Sequence, residues 1–419
     1  MKATIDKSEI RGTIIAPSSK SFTIRGLMCA ALAKGESQIK HPLNSDDTEA
    51  AISVLSKIGI TTVQNNVWLV NGGNLSRPNS DLFCCDSAAT FRFMTAICSS
   101  VPGKCRLTAG PTLSKRPVDP LIQALRQLSI SCSSQNGLPP VTVEGDGLTG
   151  GITELPGNIS SQYVSALLFI SPLAEKGVTI KLTSPLESKP YVLMTLDCLQ
   201  SFGITVAFSE RLDKFETLPQ TYEPTEYEVE GDWSSASYFL ALGAISGEIT
   251  VNNLNPNSLQ GDKMMINYLR DMGASIEIKH NALGMRKSRL KAIRADLSDC
   301  IDLLPTMAIL AAKAEGTSKL TGIERARIKE SNRVAAVREG LERMGIKTTE
   351  EQNELTIIGS KPRGAIIDSK NDHRIAMAFS ILGSTVGNTI INKAECVSKT
   401  YPEFWDELKG TGGKIRIDG

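Results

Sequence analysis

The chain has 419 residues, 41% of them apolar and 22% charged, the balance of a globular protein and not of a disordered or fibrous one. A net charge of +1 argues against nucleic acid as a partner, and no apolar run approaches the roughly 18 residues of a membrane helix. At this length two domains are expected. Nine cysteines without paired C-x-x-C spacing are expected as buried free thiols. The opening MKATIDKSEIRG has no apolar leader core, so a cytoplasmic location is expected.

Taken in chain order, Ser21–Ala33 is apolar on most faces and predicts a buried helix, while Asp46–Ile58 shows the 3.6-residue spacing of an amphipathic one. Around them, Ser37–His41, Ile60–Val63 and Val67–Val70 predict short strands. The same pattern then recurs. Segments that open with small polar residues and run into an apolar stretch are anchored at Lys20, Ser87, Ser160, Ser234, Asp302 and Asp372, at intervals of 67, 73, 74, 68 and 70 residues.

A second marker, Leu-x-x-apolar-Gly-apolar, closes the amphipathic stretches at Gly59, Ser129 (in place of Gly), Gly203, Gly273 and Gly345, in steps of 70, 74, 70 and 72. A sixth copy near LKGTGGKI is weak. Two independent markers with one period predict an array of six similar α/β units, three to a domain. The Gly ending each amphipathic stretch sits where a left-handed C-terminal cap is wanted. The best domain boundary is Ser209–Gly231, with two prolines, six glutamates and little amphipathic order.

Each small-polar opening would put free N–H groups and partial positive charge at the start of a buried helix, an anion site by construction. Lys20 and Arg25, Arg92, Lys115 and Arg116, Lys329 and Arg333, Arg374, and Lys399 stand beside them. Most Lys and Arg are solvated surface charge, but Arg25, Arg92 and Arg374 lie inside apolar runs, where a cation must meet a partner or line a cleft. Gly145-x-Gly147-x-x-Gly150 imitates a dinucleotide fingerprint yet leads into GITELPG and no helix. No phosphate-binding P-loop is present, and three scattered histidines make no His-rich metal site. An Asp that opens an apolar helix, as Asp302 does, reads first as an N-cap.

The segments PSSKSFTIR, SKRPVDPL, GNISSQYVSALL, SKPYVLMTL, EGDWSSASYFL, LTGIERARIKESNRVAA, NDHRIAMAF and VSKTYPEFW run in order from residue 17 to residue 405. Together they resemble the 5-enolpyruvylshikimate-3-phosphate synthase family. The resemblance implies an α/β enolpyruvyl transferase fold of two pseudo-symmetric domains, each of three βαβαββ units around buried helices. It divides the chain into residues 1–18 plus 230–419, with the first strand contributed by the N-terminus, and residues 19–229. The hinges fall near 16–19 and 225–231.

The implied reaction moves the enolpyruvyl group of phosphoenolpyruvate to the 5-hydroxyl of shikimate 3-phosphate and releases phosphate. By motif position, Lys20, Ser21, Arg25, Ser160, Ser161, Gln162, Ser188, Tyr191, Asp302 and Lys329 are implied to hold shikimate 3-phosphate. Lys20, Ala88, Arg92, Arg116, Gln162, Arg333, Arg374 and Lys399 are implied to hold phosphoenolpyruvate. Asp302 matches the family's base, with Glu330, Lys20 and Lys329 as proton-handling groups; His373 is expected to give structural support.

The resemblance implies no metal, no cofactor, small-molecule partners only, no nucleic acid or membrane, and a monomer. One motif departs from the pattern: the family commonly has Gly and Thr where this chain has Ala88 and Ala89. That departure bears on glyphosate, which competes with phosphoenolpyruvate in the family. Two rival readings are a UDP-N-acetylglucosamine enolpyruvyl transferase, which uses a loop cysteine where this chain has SKRPVDP, and a non-catalytic binder of phosphorylated metabolites. The second predicts loss of Lys20, Asp302 or Glu330, and all three are present.

Overall fold

A helix that is apolar all round has to be enclosed, and the short strands beside it supply the covering layer. A computed structural model describes residues 1–145 and 147–419. The chain divides into two compact units, Ser18–Val229 (the first unit) and Met1–Pro17 with Glu230–Gly419 (the second).

The first unit holds α1 (Lys20–Leu32), α2 (Asp46–Lys57), α3 (Ala88–Ile97), α4 (Asp119–Gln127), α5 (Ser161–Ile170) and α6 (Lys189–Ser201). The second holds α7 (Trp233–Ile245), α8 (Met265–Asp271), α9 (Leu304–Lys313), α10 (Arg333–Arg343), α11 (His373–Val386) and α12 (Phe404–Gly410). The odd-numbered helices are the apolar ones. Every residue of α7 is buried, as are 11 of the 13 in α1. In the first unit α3 packs against both α1 and α5; in the second α7, α9 and α11 pack on one another.

The described strands form six four-stranded sheets. The repeat is visible in the sheet of Leu82–Phe83, Gly103–Thr108, Leu138–Gly145 and Ser131–Gln135, whose first pair is parallel and whose other pairs are antiparallel. Three sheets are completed from far along the chain. In the first unit, Glu226–Glu228 lies parallel to Gly35–Lys40. In the second, Lys2–Asp6 sits between Thr389–Asn392 and Lys414–Asp418, antiparallel to both.

One expectation needs correction. Not one but two N-terminal strands join the second unit, because Arg11–Ile15 also pairs there, parallel to Glu248–Asn252. The division between the units, after Val229, falls within Ser209–Gly231, and that segment also carries strands. It contains Lys214–Thr217 and Glu226–Glu228, each of which pairs within a sheet of the first unit. Strands this short carry no local sign of a partner so distant in sequence.

The capping expectation meets a clear local geometry. Gly59, Gly203, Gly273 and Gly345 have φ of +93°, +81°, +82° and +84°, and Ser129 takes the same left-handed region at +63°. The weak sixth copy has its own glycine at Gly412, φ +94°, just past α12. Where the chain must reverse out of a helix, the backbone conformation is kept even when the glycine is not.

Candidate active site

In the first unit, the openings of α1, α3, α5 and α6 carry the polar groups. Lys20, the first residue of α1, directs Nζ to Asp47 Oδ2 at 2.9 Å. Arg25 lies one turn further in and is 2% exposed. Its Nε donates to Thr195 Oγ1 at 2.8 Å, and its two Nη atoms donate to the carbonyls of Ser21 and Tyr191, each at 2.9 Å. Burial lowers the pKa of this guanidinium from its ordinary value. Phe93 and Tyr191 present their rings to it at 5.5 and 5.9 Å.

A second cluster forms where α3 meets α5. Arg92 Nη1 donates to Ser160 Oγ at 3.1 Å and to Gln162 Oε1 at 2.8 Å, and its guanidinium lies 5.0 Å from the Tyr163 ring centroid. Ser160 is the N-cap residue of α5 and Ser161 its first residue. Ala88 begins α3, four residues before Arg92, and is 7% exposed. The loop ahead of it is tied down by Asp86 Oδ1, which accepts from the N–H groups of Thr112 and Leu113 at 3.0 and 2.9 Å. Arg116 is buried directly after the 3-10 turn Leu113–Lys115. Ser188 stands at φ +54° immediately before α6.

The second unit gathers six of the expected residues into one network. Asp302, in the 3-10 turn that leads into α9, accepts from Arg333 Nη1 at 2.6 Å and from Arg374 Nη2 at 3.0 Å, with Lys329 Nζ at 3.7 Å. Arg333 opens α10 and is 1% exposed. Its other Nη donates to Glu330, which also faces Lys399 Nζ at 3.8 Å. Its Nε donates to Asp372 Oδ2 at 2.8 Å. One guanidinium therefore joins three carboxylates.

Asp372 is the N-cap of α11 and accepts the Arg374 N–H at 3.0 Å and the Ser331 hydroxyl at 3.0 Å. His373 is buried with Nδ1 3.9 Å from Asp372 Oδ1. Behind Arg374 lies Asp262, fully buried and bonded by the Ser234 hydroxyl at the start of α7.

These contacts set the charge states. Burial alone would raise the Asp302 carboxyl, but Arg374, Lys329 and Arg333 outweigh it and hold the group well below the usual carboxylate range. Burial lowers Lys329 to about 8, only partly opposed by Asp302. Burial, with Asp302 adding to it, pushes Asp262 up to about 7. Arg333 loses charge stability to burial and regains more from Asp372, Glu330 and Asp302, so its pKa rises and it stays cationic. The result is one firmly ionised carboxylate beside a lysine that changes charge near neutrality.

The family model for EPSP synthase (3-phosphoshikimate 1-carboxyvinyltransferase) matches residues 5–408. The chain belongs to the EPSP synthase family. A 3-phosphoshikimate 1-carboxyvinyltransferase of Dehalococcoides mccartyi is 50% identical over 421 residues, covering all of both chains. One from Methanosarcina acetivorans is 40% identical over 99% of each. Among solved structures, EPSP synthase from Acinetobacter baumannii superposes with a TM-score of 0.84 at 26% identity over the whole of both chains. The enolpyruvyl transferase NikO from Streptomyces tendae, at 16% identity and a TM-score of 0.79 over 99% of this chain and 98% of its own, shares the fold.

For this EPSP synthase family member, sequence reasoning passed over several partners. Asp372 lies inside the NDHR segment and marks the repeat, but nothing local in the sequence signals that it grips Arg333. Asp47 and Thr195, which hold Lys20 and Arg25, sit 27 and 170 residues from them. Asp262 follows Gln260-Gly261 in a stretch without periodicity, and only the packing of α7 beside α9 and α11 reveals it.

Proposed function

We infer that this chain transfers the enolpyruvyl group of phosphoenolpyruvate to the 5-hydroxyl of shikimate 3-phosphate, releasing phosphate. The reading is carried by the network around Asp302, where one carboxylate is held by two arginines and a lysine. The two substrates bring two phosphates and two carboxylates, and buried arginines bind such groups in a fixed geometry. Arg92, Arg116, Arg333, Arg374 and Lys399 take phosphoenolpyruvate, with Ala88 against it. Ser160, Ser161, Gln162, Ser188, Tyr191 and Ser21 take shikimate 3-phosphate, and Lys20 serves both. Three of the five N–H donors of Arg25 are already used, so it mainly fixes Ser21 and Tyr191 and offers a ligand the two that remain.

In the addition step the 5-oxygen attacks the central carbon of the enolpyruvyl group, the hydroxyl proton passes to a base, and the methylene carbon gains a proton. In elimination the carbon–oxygen bond to phosphate breaks with its electron pair and the methyl group returns a proton. Asp302 is the base and Lys329 and Glu330 handle the second proton. A carboxylate held by three cations is a weak base. Arriving anions compete for Arg333 and Arg374, and every cation they draw away raises the basicity of Asp302. Substrate binding thus sharpens the group that must act on it. The test is phosphate release that requires both substrates, abolished in Asp302→Asn protein that remains folded.

A further inference from the structure

The buried helices α7, α9 and α11 start at the network just described, and their opposite ends meet a second feature. A cavity of about 770 Å³ lies there in the second unit, touched by Ile245 and Ser246 at the end of α7, Lys313 at the end of α9 and Thr385 near the end of α11. Lys7 and Lys287 line it as well. The volume falls within the roughly 300–1,000 Å³ of small-molecule sites.

Three ammonium groups share this cavity without a salt bridge or hydrogen bond to any of them among the described residues. Burial lowers the pKa of Lys313, and the charges of Lys287 and Lys7 lower it further. Of the other charged lining groups, Arg289 pairs with Glu315, which leaves Glu9 as the remaining carboxylate against three lysines. Hydroxyls of Ser246, Ser288 and Thr385 border the same space.

The plain explanation of lysines at this position is that they neutralise the carbonyl ends of the helices. Part of that need is met by backbone. Ser288 N–H donates to the Ala244 carbonyl at 2.9 Å, Ser8 N–H to Ser384 at 3.0 Å and Ser360 N–H to Ala312 at 3.1 Å. One amide from a neighbouring loop thus satisfies one terminal carbonyl of each of the three helices. Lys7 and Lys287 are exposed at the rim and Lys313 is half-buried between the helix ends, where the charges of both act on it.

We propose that this cavity is a second anion site, which takes a small molecule carrying two or more phosphate-type charges between Lys7, Lys287 and Lys313. The proposal does not depend on the enolpyruvyl-transfer reading, because none of these lysines belongs to the network of Asp302. Calorimetric titration of inorganic pyrophosphate into the full chain tests it, with wild type compared against the triple variant Lys7→Gln, Lys287→Gln, Lys313→Gln. Wild type should bind one more pyrophosphate per chain than the triple variant, while phosphate-release turnover without pyrophosphate is the same in both. Lys287→Gln alone should weaken that additional site about tenfold, the worth of one charged hydrogen bond, and decides the matter if the triple variant does not fold. Equal stoichiometry and affinity in wild type and variants would overturn the proposal.

Discussion

At Asp302 burial and charge pull in opposite directions, and the three cations win. Replacing it by Asn keeps the shape and removes the base, so turnover should fall by about 10²–10⁴ while shikimate 3-phosphate binding stays near normal. Turnover that persists in folded Asp302→Asn protein would remove Asp302 from the mechanism. Lys329 titrates at about 8 because burial opposes its charge. As a proton donor it must be protonated, so kcat should decline as pH rises through about 8. Arg in its place keeps the charge at every accessible pH, and Lys329→Arg should abolish that alkaline limb whatever it does to the maximal rate. A limb that stays at the same pH in the variant assigns it to another group.

Ala88 poses a steric question at the same scale. Its methyl group stands at the first turn of α3, ahead of Arg92, in a loop anchored by Asp86. An extra methyl in a packed wall costs on the order of 1–3 kcal/mol, or roughly 10- to 100-fold in affinity. Glyphosate is slightly longer than phosphoenolpyruvate and should lose more. Ala88→Gly should therefore be inhibited by glyphosate at a lower concentration than wild type, with phosphoenolpyruvate use changed only modestly. Equal inhibition constants for the two proteins would show that the loop has shifted to absorb the methyl.

At the scale of elements, two glycines separate strain from packing. Gly273 follows α8 with φ +82°, and a Cβ there would meet nothing within 4 Å. Gly273→Ala therefore measures the left-handed backbone alone, about 1–2 kcal/mol. Gly340 lies within α10, where a Cβ would come within 2.3 Å of the Phe379 ring on α11. Because Arg333 opens α10 and Arg374 sits on α11, Gly340→Ala should disturb the network as well as stability. Urea unfolding should show both variants destabilised, but only Gly340→Ala with a raised KM for phosphoenolpyruvate. If both variants lose turnover alike, α10–α11 packing has no special hold on the site.

Across the whole molecule, the α/β repeat was legible because every unit must bury one helix and cap another, and both needs leave marks at a fixed period. Ser129 shows the limit of the signal: its φ of +63° preserves the cap after the glycine is gone. What the period cannot tell is which strand completes which sheet. Lys2–Asp6, Arg11–Ile15 and Glu226–Glu228 all pair with segments that only the folded chain brings near. The site was legible as a set of charged residues at helix openings, but not as pairs. Asp372 between Ser331 and Arg333, and Asp262 under Ser234, are consequences of packing.

The most direct test of the central claim is a phosphate-release assay on the purified chain with each substrate alone and with both. The account predicts release only when shikimate 3-phosphate and phosphoenolpyruvate are present together, with one enolpyruvyl ether formed at the 5-position per phosphate. Phosphate released from phosphoenolpyruvate alone, or no release with both substrates under conditions where each binds, would contradict it.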